Sequence, residues 1–145
     1  MNSALTLLAF DYGLKQIGVA SGQTATSSAS PLTVLKARDG IPQWEHIAQL
    51  LEEWRPDRVL VGLPLNMDGS ESELSTRARK FANRLHGRFG VAVEMVDERL
   101  TSFAAKAQQQ AAGGSTDYRK NPVDALAAKM ILEDWFNAQH QAPAT

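Results

Sequence analysis

A chain of 145 residues with 43% hydrophobic and 21% charged residues has the size and balance of one folded domain with its own core. It has no cysteine, which excludes a disulfide framework and thiolate metal sites. A formal net charge of −1 gives no overall pull toward nucleic acid, so an anionic partner must meet a local basic patch. No apolar run reaches the roughly 20 residues needed to span a bilayer, and no basic segment followed by an apolar run opens the chain. The expectation is a cytoplasmic protein with no membrane partner, folded as a single domain over 1–145, with residues 139–145 as a disordered tail.

Leu5 to Phe10 is apolar at every position but Thr6, the pattern of a strand buried on both faces. Asp11 follows where that strand leaves the sheet, Gly13 permits a turn, and Ile17–Ala20 resumes as a second strand. A carboxylate at such a point is costly to bury unless it is paired or binds a metal. Asp-Tyr-Gly is also ordinary turn chemistry, and Asp11 by itself fits both readings. Gln23–Ser30 is small and polar and reads as a loop, and Pro31–Lys36 as a third, shorter strand.

Ile41–Arg55 reads as a helix with Trp44, Ile47, Leu50, Leu51 and Trp54 on one face, stopped by Pro56. Asp57–Gly62 is a buried strand, and Leu63–Glu73 a turn-rich loop. The next helix, about Ser72–Gly87, buries Leu74, Ala78, Phe81, Ala82 and Leu85. Beside that face Arg77, Lys80, Arg84 and Arg88 form a stripe of one sign. Such a stripe is either a solvated flank or a surface for phosphates. Its like charges repel by a few tenths of a kcal/mol per pair, which favours the phosphate reading.

Val91–Val96 is a strand ending in Asp97 and Glu98, a helix is expected over Thr101–Ala112, and Gly113–Lys120 is a loop. Asn121-Pro122 suits the start of a last helix, which carries Val123, Leu126, Ala127, Met130, Ile131 and Trp135 on its buried side. Three early strands joined by turns and two later strands separated by helices predict an α/β fold. Its mixed sheet has five strands, an antiparallel three-strand meander followed by parallel crossovers, with helices on both faces.

Asp11 and Glu98 close buried strands, at the edge where open α/β sheets bind ligands, and Asp124 lies in the first turn of the last helix. Three such carboxylates suit a hard divalent cation, Mg²⁺ or Mn²⁺, in phosphodiester cleavage. Singly, Glu98 also fits a surface ion pair and Asp124 a partner for the helix dipole. Neither common glycine-rich nucleotide cradle is present, nor a serine nucleophile elbow, and His46, His86 and His140 are scattered.

FDYGLKQIGVA, VGLPLNMDGSES, DERLTS and VDALAAKMILEDW, in this order, resemble the YqgF-type family. Its members are bacterial proteins of ribonuclease H-like fold, described as Holliday-junction resolvases and as nucleases maturing the 5′ end of pre-16S rRNA. The resemblance implies an acidic triad at Asp11, Glu98 and Asp124, a departure at Gln16 where many relatives carry arginine, and a metal-dependent nuclease. The expected partner is structured RNA, most plainly precursor rRNA on ribosomal particles. The backbone would be positioned by Arg77, Lys80, Arg84 and Arg88, with Tyr118 and Lys120 near the scissile phosphate. Its rivals are resolution of four-way DNA by a two-fold dimer and a non-catalytic binding module. An actin-like ATPase needs a second domain for which the chain is short. The expected assembly state is a monomer or weak homodimer.

Overall fold

The computed structural model describes residues 4–64, 68, 70–97 and 123–141, with only the backbone considered at 97, 123–125 and 139–141. Its strands are β1 (Thr6–Asp11), β2 (Gln16–Gln23), β3 (Ser28–Arg38), β4 (Ile41–Pro42), β5 (Arg58–Leu63) and β6 (Val93–Asp97). The helices are α1 (Trp44–Trp54), α2 (Glu73–Phe89) and α3 (Val123–Gln141). The sheet order is β4-β3-β2-β1-β5-β6. Neighbours from β1 to β4 run antiparallel, while β5 lies parallel to β1 and β6 parallel to β5. The expected meander with parallel crossovers is therefore present.

The sheet has six strands among the described residues, not five. The additional strand, β4, takes residues that the apolar spacing assigned to the first helix. Asp39 and Gly40 both have positive φ, 50° and 81°, and reverse the chain tightly enough for Ile41 to pair with Arg38 and Pro42 with Ala37. Proline lacks the N–H a central strand would need, so it suits this short outer strand. The helix accordingly starts at Trp44. β3 also begins earlier than expected, because the polar Ser28–Ser30 segment pairs backbone to backbone with Ser21–Gln23. Ladder bonds are made by the backbone and do not require apolar side chains. The expected helix over 101–112 lies outside the described residues.

The alternation of β1 divides the core. Leu8, Phe10 and Tyr12 join Ile17, Val19, Val59 and Val61 against α1 and α2, where Ile47, Ala78, Phe81 and Leu85 are buried. Leu7 and Ala9 join Ala20, Leu60 and Val96 against Ala128, Ile131, Leu132, Trp135 and Phe136 of α3. Each fully buried Leu, Ile, Val or Phe contributes about 1.5–3 kcal/mol relative to exposure. A single Leu132→Ala change would therefore cost about 2–5 kcal/mol on the α3 side.

Both ends of α2 are closed by identifiable groups. Ser72 caps α2: its hydroxyl accepts from the Ser75 N–H at 3.3 Å, and the Ser75 hydroxyl accepts from the Ser72 N–H at 2.9 Å. The Ser75 hydroxyl also donates to the Pro64 carbonyl, tying the loop after β5 to the helix start. Gly90, at φ 68°, ends α2, and its N–H donates to the His86 carbonyl.

The direction of α3 follows from its contacts. Trp135 Nε1 donates to Glu94 Oε2 at 3.0 Å, and Arg58 pairs with Glu94 at 3.1 Å, both near the starts of β5 and β6. Gly22, which pairs with Leu7, lets Leu132 and Phe136 close on the sheet, since a Cβ there would meet them at 3.2 and 3.3 Å. The second half of α3 thus covers the amino end of β1. The rise from Phe136 back to Asp124 is about 18 Å, close to the roughly 20 Å length of β1. The first turn of α3 is thereby directed to the carboxyl edge.

Candidate active site at the carboxyl edge of the sheet

Asp11 is the last residue of β1 and is 8% exposed. It follows Leu7 and Ala9 in alternation, so its side chain belongs to the face covered by α3. Across the ladder it pairs with Gly18, which has no side chain to fill the space beside it. Asp124 is the second residue of α3, whose first turn points toward this same edge because its second half packs over the amino end of β1. Glu98 immediately follows β6, and it lies outside the described residues, as do Tyr118 and Lys120. Among the described residues no three His, Cys, Asp or Glu side chains group closely enough to hold a metal. Two of the three expected ligands, Glu98 and the Asp124 side chain, are not among those described.

On the opposite face, directly after Asp11, Tyr12 packs at 5.1 Å from the Phe81 ring. Its hydroxyl donates to the Gly40 carbonyl at 2.8 Å. Burial pushes the Tyr12 phenol above its ordinary pKa of 10.0, and the guanidinium groups of Arg77 and Arg84 pull it partly back. These groups border an open cavity of about 260 Å³, lined by Tyr12, Ile41, Trp44, Arg77, Lys80 and Arg84 among others.

The cationic stripe divides into distinct roles. Arg77 Nη1 donates to the Asp39 carbonyl at 3.1 Å and carboxylate at 3.2 Å, and its Nε lies 3.8 Å from Glu73. Arg88 places its guanidinium 4.4 Å from the centre of the Trp44 ring. Lys80 and Arg84 are exposed at the cavity, and neither forms an ion pair among the described residues. Helical spacing revealed the stripe. It did not reveal that Asp39, Ile41 and Tyr12 complete the cavity, because the β3–β4 corner brings them together from distant parts of the chain.

A family model, RuvX: Holliday junction resolvase, matches residues 5–138. A protein of Pectobacterium carotovorum named "Putative pre-16S rRNA nuclease" is 58% identical over 135 residues, covering 93% of this chain and 97% of its own. A protein of the same name from Azotobacter vinelandii is 57% identical over 136 residues, covering 94% and 96%. Among solved structures, Thermus thermophilus RuvC in complex with a Holliday junction substrate superposes with a TM-score of 0.57 at 20% identity, covering 94% of this chain and 97% of that one. The Fowlpox virus resolvase in complex with Holliday junction DNA gives 0.57 at 14%, covering 93% and 99%. These likenesses establish the resolvase-type, ribonuclease H-like fold. With its matched span running from β1 through most of α3, the chain belongs to the RuvX family.

Proposed function

We propose that this chain is a divalent-metal-dependent nuclease that hydrolyses phosphodiester bonds of structured RNA, with the 5′ end of pre-16S rRNA as its substrate. The observation that carries this reading is the nearly buried Asp11 at the carboxyl end of β1, in alternation with Leu7 and Ala9 on the sheet face that α3 covers. The curated relatives named for pre-16S rRNA support the substrate.

The donor set fits the metal. Carboxylate oxygens of Asp11, Glu98 and Asp124 suit a hard cation, and a chain without cysteine offers no soft thiolate in competition. Mg²⁺ or Mn²⁺, when bound, supplies charge to activate water and to stabilise the leaving oxygen. Around it, Asp11 fixes a negative group at a rigid strand end, and Asp124 brings a second from the opposing helix. Arg77, Lys80 and Arg84 hold the backbone from the other face, and Tyr118 and Lys120 would contact the segment being cut. No described helix is long and apolar enough to cross a membrane, consistent with work on ribosomal particles in the cytoplasm by a single-domain monomer or weak homodimer.

Cleavage of precursor rRNA, four-way DNA and simple duplexes should be compared in Mg²⁺ and in Mn²⁺, with Asp11→Asn alongside. Cleavage of the precursor alone, lost in the variant, is the expected result. Preferential cutting of four-way DNA would instead support the second reading, junction resolution, which the family model and the fold favour. Metal-independent cutting, or cutting unaltered in the variant, would refute the site.

A further inference from the structure

We infer that the cavity behind Tyr12 is a subsite for one nucleotide of the strand, the one flanking the cut, held by its phosphate and by an apolar face. The inference rests on the nuclease reading above and adds a position and a mode of contact to it.

Three observations converge. Asp11 and Tyr12 are consecutive, about 3.8 Å apart at Cα, and belong to opposite faces of the sheet. A strand crossing the sheet edge at Asp11 therefore meets the cavity next. The cavity presents Lys80 and Arg84 without ion-pair partners among the described residues, beside Arg77, whose charge Asp39 and Glu73 partly offset. That arrangement accepts one phosphate and does not neutralise itself. Finally, Ile41 and Leu14 are the exposed large hydrophobic residues of the described chain, at 57% and 41%, and both lie at the Gly40 corner. Gly40 donates to the Leu14 carbonyl at 2.8 Å, which holds the two turns together. Of the two residues, Ile41 lines the cavity; Trp44, also in its wall, has Phe81 stacked at 5.8 Å and Arg88 over its ring, so Ile41 provides the free apolar surface. Phosphate beside aliphatic surface is the complement of a nucleotide's phosphate and base or sugar.

The test uses the full chain in EDTA and two 3′-labelled RNA pentanucleotides, one with a 5′-phosphate and one with a 5′-hydroxyl. Binding is followed by fluorescence anisotropy. Ile41→Ser and the pair Lys80→Gln with Arg84→Gln should each weaken binding about tenfold, as loss of partial apolar burial or of phosphate contacts requires. Melting should stay unchanged, because these side chains are exposed, and in cleavage assays KM should rise with kcat held. A preference for the 5′-phosphate assigns the subsite to a terminal phosphate. Equal binding assigns it to an internal phosphodiester. Parental affinity and KM in both variants of a cleaving enzyme would overturn the subsite and leave the nuclease reading intact. Weakened binding in variants of a chain that cleaves nothing in any metal would overturn the nuclease reading and keep the cavity as a nucleotide site.

Discussion

The Tyr12 hydroxyl donates to the Gly40 carbonyl across 28 residues of sequence, and this bond fastens the end of β1 to the β3–β4 corner. Gly40 has φ 81°, and a Cβ there would strike the hydroxyl itself, so the corner has room for glycine alone. Tyr12→Phe leaves a buried carbonyl without its donor and should cost about 1–3 kcal/mol at neutral pH. The burial that raises the phenol's pKa adds a pH signature. The protonated phenol's contribution is full below the unfolded value of about 10, and it is lost as pH rises through the higher folded value. Urea midpoints measured from pH 7 upward should therefore converge for parent and variant in the alkaline range.

Asp124→Asn separates a helix-dipole partner from a metal ligand. A dipole partner contributes about 0.3–1 kcal/mol, and its loss would lower melting and leave cleavage intact. In the proposed role, as one of three carboxylates sharing a metal, Asp124 should instead cost stability without metal. We expect the variant to melt no lower than the parent in EDTA and to lose Mg²⁺-dependent cleavage by orders of magnitude. Both measurements belong on the same preparations.

Phosphate contacts leave a mark in salt. Neutralising Arg77, Lys80 and Arg84 together should lower RNA affinity and flatten its dependence on log salt by about 0.7 per contact on a single strand, or 0.9 on a duplex. Arg88→Gln should change the slope little, since its charge already sits over Trp44. An equal effect from Arg88 would mean the stripe acts as a diffuse field and not through the cavity.

The fit of α3 against β2 depends on Gly22. A Cβ there would meet the Ser28 carbonyl oxygen at 2.9 Å as well as Leu132 and Phe136. Gly22→Ala should cost about 1–3 kcal/mol by overpacking. Differential scanning calorimetry measures this, and paired replacement of Leu132 by a smaller residue should not return the full loss, because the carbonyl cannot retreat as a side chain can.

The buried strands were legible because their signals are local. Leu7–Phe10 and Val59–Val61 are apolar on both faces, and α2 carries its cap and its core face in consecutive residues. β4 was not, because Ile41 and Trp44 fit a helical face and only the Asp39–Gly40 reversal places Ile41–Pro42 in the sheet. For the site, Asp11 stood out as an acid closing a buried strand, and the cationic stripe stood out by its period. The pairing of Arg77 with Asp39, the seating of Arg88 on Trp44 and the anchoring of Trp135 by Glu94 join residues 38, 44 and 41 positions apart. No local pattern records such contacts.

The docking of α3 on the first strands also orders events in time. β1, β2 and β3 are neighbours in both sequence and space, and such local pairing forms fast. The helix that covers their other face is the last described element of the chain, so during synthesis it is also the last to become available. Until it docks, Leu7, Ala9 and Ala20 lie bare and Asp11 has no opposing helix. A growing chain therefore leaves this face of its sheet open until residues 123–141 have been made, and only then is the face that carries Leu7 and Ala9 closed by a helix.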